Sequence, residues 1–423
     1  MILTQLPAEF QAAKPIIETI EAAGYEAYFV GGCVRDTILG KPLHDVDIAT
    51  SAFPAEVKQL FKRTVDTGIE HGTVMILDHG NGYETTTFRT ESGYQDFRRP
   101  DQVTFVRSLK EDLKRRDFTI NALAMTANGE VIDLFDGLAD IEQGILRAVG
   151  VAEERFHEDA LRMMRAVRFA SQLGFTIESQ TEQAIADNAA LLAKIAVERT
   201  RVEWEKLLMG QHPVAGLTGL LTTDLYRYMP AMADQEAMLR QLMALPAWHL
   251  PSIESTWTLL SWTMQRTDEA AVRQLLKTWK TSNELINHVT AAIKALMALK
   301  HNGQLTAQEN FYTGLEALKT ANQVATILGF GQDQAQLVQA YASLPIHDKH
   351  ELAINGGDLL KAKLVTPGPM MGQILAACLQ AVVMKQVPNQ QDALLDFARM
   401  VADSKKTIDI FYESVTIKVK LIQ

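Results

Sequence analysis

Asp45 and Asp47 stand two residues apart in Leu43-His44-Asp45-Val46-Asp47-Ile48-Ala49-Thr50. The β-branched residues around them predict a strand over Val46 to Ala49. Side chains alternate along a strand, so both carboxylates would leave the same face. Two adjacent carboxylates repel each other unless a cation sits between them. Mg²⁺ suits that place, because it takes hard oxygen ligands and leaves positions for triphosphate oxygens. Two such ions about 3.5–4 Å apart activate an attacking hydroxyl and stabilise a leaving oxygen. Thirteen to sixteen residues upstream, Gly31-Gly32 allows the backbone to approach a phosphate closely, and Arg35 adds a guanidinium clamp. No G-x-x-x-x-G-K-[ST] sequence is present, so the phosphate cradle is not a P-loop.

The elements that must position these groups lie in the first 150 residues. Helical periodicity covers residues 8–23, and Tyr25 to Val30 reads as a strand entering the glycine pair. Thr73 to Leu77 and Tyr83 to Phe88 flank Asn81-Gly82, a hairpin turn signal. Arg116 to Met125 reads as a helix after a basic turn. Beyond about residue 150 Leu, Met and Ala recur at helical spacing, and strand signals vanish until the closing Val415 to Gln423 segment. The fold class is therefore α+β, a mixed head followed by a long helical remainder. Breaks at Gly210–Pro213 and Lys300–Gly303 suggest further subdivision.

Composition agrees with a folded, soluble chain. Of 423 residues 47% are hydrophobic and 22% charged, ordinary for a soluble globular protein, and nothing suggests disorder or low complexity. The most apolar run, Gly368 to Met384, is too short and polar to span a bilayer and reads as a buried helix. The opening residues show no secretory pattern. Two distant cysteines, Cys33 and Cys378, argue against a disulfide framework or zinc site and fit a reducing cytoplasm. The net charge of −10 hides a local excess of Lys and Arg between Arg98 and Arg116, followed by Arg162, Arg165, Arg168, Arg199 and Arg201. An acidic body with a basic cleft is compatible with an RNA substrate.

Gly31-Gly32-Cys33-Val34-Arg35-Asp36, the D-x-D pair, Arg115-Arg116-Asp117-Phe118-Thr119-Ile120-Asn121-Ala122 and Glu158-Asp159-Ala160-Leu161-Arg162 follow one another in this chain. In that order, over roughly the first 210 residues, they resemble the class II tRNA nucleotidyltransferase and poly(A) polymerase family, whose head is polymerase-β-like. The resemblance implies a head over residues 1–148, a helical neck over 149–210, a body over 211–300 and a tRNA-binding tail over 301–423. It implies Asp45 and Asp47 as metal ligands, with Mg²⁺ as cofactor and a third acid on a neighbouring strand, for which Glu84 is the candidate. It implies nucleotide contacts from Gly32, Arg35, Arg116 and Asn121; Arg115 faces either a phosphate or the nucleotide itself. The substrates implied are the tRNA 3′ end, CTP and ATP, with diphosphate released.

Asp159 and Arg162, three apart, would share a helical face. Asp only accepts hydrogen bonds and Arg only donates them. Cytosine and adenine each set an exocyclic amino group beside a ring acceptor, whereas uracil and guanine set a carbonyl beside a ring N–H. A buried polar mismatch of that kind discriminates by roughly 10⁴-fold. The family is understood to use E-D-x-x-R in this way, with Arg165 and Arg168 facing the triphosphate or orienting Asp159. Glu198 to Lys206 resembles the family's last helical motif and reads as support for the neck. His347-Asp348 lacks the further ligands of a metal phosphatase and reads as a loop. No R-R-F-R signature of poly(A) polymerases follows the neck. The full-length loop Thr90 to Lys110 is absent from CC-adding relatives. Both features favour complete CCA addition over poly(A) or CC synthesis. An inactive RNA-binding protein would be expected to lack the acids or Arg116. A homodimer stays open.

Overall fold

A computed structural model describes the chain apart from residues 44, 96–98, 247 and 405–423. Two compact units are present: Met1–Ala244 with His249–Pro251 and Thr278–Lys280, and the remaining residues from Leu245 onward.

The first unit begins with helix α1, Ala8–Ala22, whose Phe10, Ile16, Ile17 and Ile20 are buried. Its apolar stripe covers a seven-stranded mixed sheet, with Phe10 edge-on to Phe29 at 4.6 Å. The strands are β1 (Ala27–Val30), β2 (Ile48–Thr50), β3 (Thr64–Gly68), β4 (Thr73–Asp78) and β5 (Asn81–Thr87). A separate two-stranded ribbon, β6 (Arg89–Gln95) and β7 (Arg99–Phe105), precedes β8 (Leu123–Met125) and β9 (Val131–Asp133). Sheet order is β3-β4-β5-β2-β1-β8-β9. Central β1 is antiparallel to both β2 and β8, and β2 is parallel to β5. These registers bring the end of β1, the starts of β2 and β8 and the middle of β5 together at the centre of the sheet.

Short helices connect the strands: α2 (Gly32–Ile38), α3 (Pro54–Leu60), α4 (Leu109–Lys114) and α5 (Gly137–Gln143). Further helices follow, α6 (Ala152–Glu158), α7 (Leu161–Leu173), α8 (Ser179–Asn188), α9 (Val197–Leu208) and α10 (Pro213–Thr222), along with the small parallel pair β10 (Ile145–Leu146) and β11 (Thr176–Ile177). Gly216 of α10 permits close packing on α7, since a Cβ there would lie 2.7 Å from the Val167 carbonyl oxygen.

The second unit is helical in its described residues, including Ile253–Thr263, Asn283–Asn302, Leu315–Ile327 and Pro369–Val383. Helix Pro369–Val383 buries only one side, with Ile374, Cys378 and Val382 meeting Leu394 and Ala398 in an apolar cluster. Among the described residues no helix is long and apolar enough to cross a membrane.

Four local expectations differ from the structure. The strand expected over Val46 to Ala49 begins at Ile48, so Asp45 and Asp47 precede β2 instead of lying on it. The residues Arg116 to Met125 do not form a helix: a single 3₁₀ turn, Thr119–Asn121, leads into β8. Leu123, Ala124 and Met125 are fully buried and pair with β1 or β9, so strand pairing overrides the local helical pattern. The hairpin turn lies at His79-Gly80, with φ of 45° and 85°, two residues before Asn81-Gly82. Asn81 is paired with Asp78 and starts β5. Thr90 to Lys110, expected as a loop, holds most of the β6–β7 ribbon and the start of α4. The Val415 to Gln423 segment lies outside the described residues.

Candidate active site

Where β1 ends, Gly31 adopts φ 77° and opens α2. A side chain there would collide with Arg116, whose Nη1 is 2.7 Å from the position of a Cβ. The glycine thus lets a guanidinium lie on the backbone at the mouth of α2. Asp47 joins the same place: its carbonyl accepts a hydrogen bond from Val30 N–H at 3.0 Å. Asn121 joins it from the turn before β8.

Asp45 and Asp47 are exposed on either side of the buried Val46. Among the described residues neither carboxylate has a hydrogen bond or an ion pair. Burial of its flank, then the Asp45 charge, pushes the Asp47 carboxyl up to about 6; Glu84 adds to this and Arg116 opposes it. Two unpartnered hard-oxygen donors side by side, each disfavouring the other's charge, suit a divalent cation. Glu84 is exposed on β5. The β2–β5 register, extended one step before Ile48 and Thr85, sets it beside Asp47. Among the described residues no three His, Cys, Asp or Glu side chains gather closely enough to hold a metal by themselves.

The opposite wall is built from paired arginines. Arg35, 7% exposed, holds Asp36 at 2.8 Å and donates to Asn121 Oδ1. Asn121 Nδ2 donates to Asp117 Oδ1 at 3.1 Å, and Asp117 Oδ2 meets Arg165 at 2.6 Å. Burial alone would raise the Asp117 carboxyl, but Arg165, Asn121 and Arg162 hold it well below the usual carboxylate range. Arg115 and Arg116 both reach Asp112, at 2.7 and 3.4 Å. Arg168 pairs with Glu203 at 2.5 Å and lies 3.9 Å from the Phe169 ring centre. Burial lowers the Arg168 guanidinium to about 10 in spite of Glu203.

Asp159 and Arg162 are not on one helical face. α6 ends at Glu158, Asp159 is extended at φ −138° and ψ 101°, and α7 begins at Leu161. The Asp159 carboxylate accepts the Leu161 N–H at 3.0 Å, a local bond that competes with helix continuation. Arg199 Nη2 lies 3.5 Å from the other Asp159 oxygen. Arg162 donates to Glu158 at 2.8 Å and to the Arg115 carbonyl at 2.9 Å.

These groups line one cavity of about 900 Å³, within the size range of small-molecule sites. It gathers Gly32, Arg35, Asp45, Asp47, Arg116, Asn121, Asp159, Arg162, Arg165 and Arg168. Glu84 is not among its lining residues. The sequence reading passed over four residues of the wall: Asp117, Phe169, Arg199 and Glu203. Asp117 sat inside the R-R-D motif. The four-residue spacing of Arg199 and Glu203 set them on one face of α9, a signal read only as support.

Family models match the chain over residues 27–147 ("Poly A polymerase head domain"), 174–236 ("RNA and SrmB- binding site of polymerase A") and 248–398 ("tRNA nucleotidyltransferase domain 2"). The CCA-adding enzyme of Limosilactobacillus reuteri is 56% identical over 396 residues, 94% of this chain and 98% of that protein. That of Ligilactobacillus salivarius is 53% identical over 405 residues, 96% of this chain and 100% of the other. The crystal structure of the Bacillus stearothermophilus CCA-adding enzyme in complex with CTP superposes with a TM-score of 0.87 at 41% identity, covering 95% of this chain and 100% of that one. By sequence over almost its whole length, and by fold, this chain belongs to the CCA-adding enzymes, the class II tRNA nucleotidyltransferases.

Proposed function

We propose that this protein adds and repairs the 3′-terminal CCA of tRNA without a nucleic-acid template, using CTP and ATP. The observation that carries the reading is one cavity with two unlike walls. One holds an exposed acid pair without a partner among the described residues; the other holds arginines fixed in ion pairs. Anionic triphosphate and cationic metal are the complements of those walls.

Asp45 and Asp47 would hold Mg²⁺, with Glu84 as the third carboxylate beside them. When bound, the metal supplies charge neutralisation at the triphosphate and activation of the attacking hydroxyl. Arg116, fixed over Gly31 by Asp112, steadies the nucleotide phosphates, with Gly32, Arg35 and Asn121 beside it. The tRNA 3′-hydroxyl oxygen bonds to the α-phosphorus, the α–β anhydride bond breaks, and diphosphate leaves. Asp159 and Arg162 accept C and A and reject U and G, as their acceptor and donor chemistry requires. Arg165 and Arg168 keep the reader helix α7 in place through Asp117 and Glu203. A cytoplasmic setting agrees with two free, buried thiols.

The test is incorporation into tRNA that ends at the discriminator base, with Mg²⁺ and CTP and ATP given singly and together. Completion to CCA is expected. A long A tail would reassign the chain to poly(A) synthesis, and arrest after two C residues would make it a CC-adding enzyme.

A further inference from the structure

Arg155 lies on α6, one turn before the E-D-x-x-R segment, and does not line the cavity. Its side chain is only 13% exposed. Arg155 Nη2 meets Glu158 Oε1 at 2.5 Å, and Arg162 Nη1 meets Glu158 Oε2 at 2.8 Å. One carboxylate is thus shared between two guanidiniums, a different oxygen going to each. The same two arginines grip the end of another helix. Arg162 Nη2 donates to the Arg115 carbonyl at 2.9 Å, and Arg155 Nη1 approaches the Lys114 carbonyl at 3.4 Å. Lys114 is the last residue of α4 and Arg115 its cap, so both carbonyls lack helical partners of their own. Arg116 follows at once.

We propose that Arg155 is a positioning residue for nucleotide selection, acting on Arg162 through the Glu158 carboxylate they share. The inference rests on Arg162 being a base reader. A reader must present its free N–H groups in one direction, and the direction of Arg162 is set by where Glu158 and the Arg115 carbonyl hold it. With Arg155 gone, Glu158 keeps a single partner and is free to turn toward solvent, carrying Arg162 with it. The Lys114 carbonyl loses its donor in the same step, which loosens the turn that delivers Arg116. A lysine at 155 retains the charge but not the fork that spans a carboxylate and a carbonyl together.

The experiment compares wild type, Arg155→Met, Arg155→Lys and Arg162→Ala, singly and with Arg155→Met combined with Arg162→Ala. Single-turnover incorporation of CMP and UMP into tRNA is measured, with tRNA binding and thermal midpoint alongside. Arg155→Met is expected to lower the CMP-over-UMP ratio by about tenfold, as loss of a charge-assisted bond implies, and to raise KM for CTP more than it lowers kcat. Arg155→Lys recovers part of the ratio. The double variant is no less selective than Arg162→Ala alone. If Arg162→Ala loses selectivity while Arg155→Met keeps it, the positioning role is overturned and the reader stands. Equal losses of CMP and UMP incorporation in Arg155→Met, or additive losses in the double variant, also overturn it. If Arg162→Ala keeps the wild-type ratio, the base-reading assignment fails and this inference fails with it.

Discussion

The acid wall and the arginine wall of the cavity solve opposite electrostatic problems. Asp45 and Asp47 are exposed, close in sequence and without a hydrogen-bond or ion-pair partner among the described residues. Arg35, Arg165 and Arg168 are wholly or partly buried, and each meets a carboxylate at 2.5 to 2.8 Å. A buried guanidinium without such a partner would leave several donors unsatisfied. The arginine wall is therefore largely paired as the protein folds, although Arg116 Nε and Arg199 Nη1 are buried without a hydrogen-bond partner among the described residues. The acid wall is left incomplete, and its repulsion is relieved only by something the chain does not supply. One side is built for shape, the other for a ligand.

Breaking the acid wall should have the largest effect on chemistry and little on folding. Asp47→Ala or Asp45→Ala is expected to reduce nucleotide incorporation by roughly a thousandfold, since metal assistance contributes several kcal/mol. Binding of tRNA and the thermal midpoint should stay near wild type. An incorporation rate within a factor of a few of wild type would remove these acids from the reaction. Gly31→Ala tests the joint between the walls. A Cβ at 2.7 Å from Arg116 Nη1, on a backbone at φ 77°, must either displace the guanidinium or strain the turn. We expect a fall in kcat/KM of about a hundredfold and a stability loss of about 1–3 kcal/mol, read by denaturant unfolding. Full activity in that variant would show that Arg116 need not lie where it does.

How much of this was readable in the sequence follows the same division. The acid pair was legible because D-x-D, Gly-Gly and their separation are local in the chain; β1 formed close to where it was expected, but β2 starts at Ile48, after both acids, so strand alternation is not what aligns them. The head-plus-helices architecture was legible from the change in periodicity near residue 150. The arginine wall was legible as a roster and not as a network. Arg165 meets Asp117 across 48 positions and Arg168 meets Glu203 across 35, and no spacing rule reports such partners. The geometry of Asp159 was missed for a subtler reason. Three-residue spacing implies a shared face only if the helix is continuous, and here the Asp159 side chain itself caps the next helix. Residues 116–125 were misread because a run of Ala, Leu and Met fits a helix equally well until β1 claims it as a strand.

The arginine wall should break differently, through stability and its pH dependence. The folded state holds Asp117 below the ordinary carboxylate range against the cost of burial. A carboxyl depressed on folding contributes stability that is complete above the unfolded value, about 4, and is lost as pH falls toward the folded value. Asp117→Asn is expected to cost about 3 kcal/mol near neutral pH, because Arg165 loses its buried partner. The gap between wild type and variant should narrow below about pH 4 as the wild-type carboxyl takes up its proton. Urea unfolding at a series of pH values measures this, and a gap that widens in acid would mean the carboxyl is not held by Arg165.

The smallest effect is expected from an ion pair that resembles those of the wall on paper. Lys280 Nζ lies 3.1 Å from Glu198, which itself lines the cavity, but both side chains are more than half exposed. In water such a pair gains little from Coulomb attraction and loses side-chain freedom, so its net contribution is small. Lys280→Gln should leave the CMP-over-UMP ratio unchanged and the thermal midpoint close to wild type, with any small difference vanishing in high salt. A selectivity loss matching that of Arg155→Met would mean that charge near α9, rather than burial and hydrogen-bonded direction, fixes the reading wall. The contrast between Lys280 and Arg155 thus separates two explanations that the cavity's charge alone leaves together. Both are cations paired with a glutamate, and only one is buried where its partner also holds Arg162.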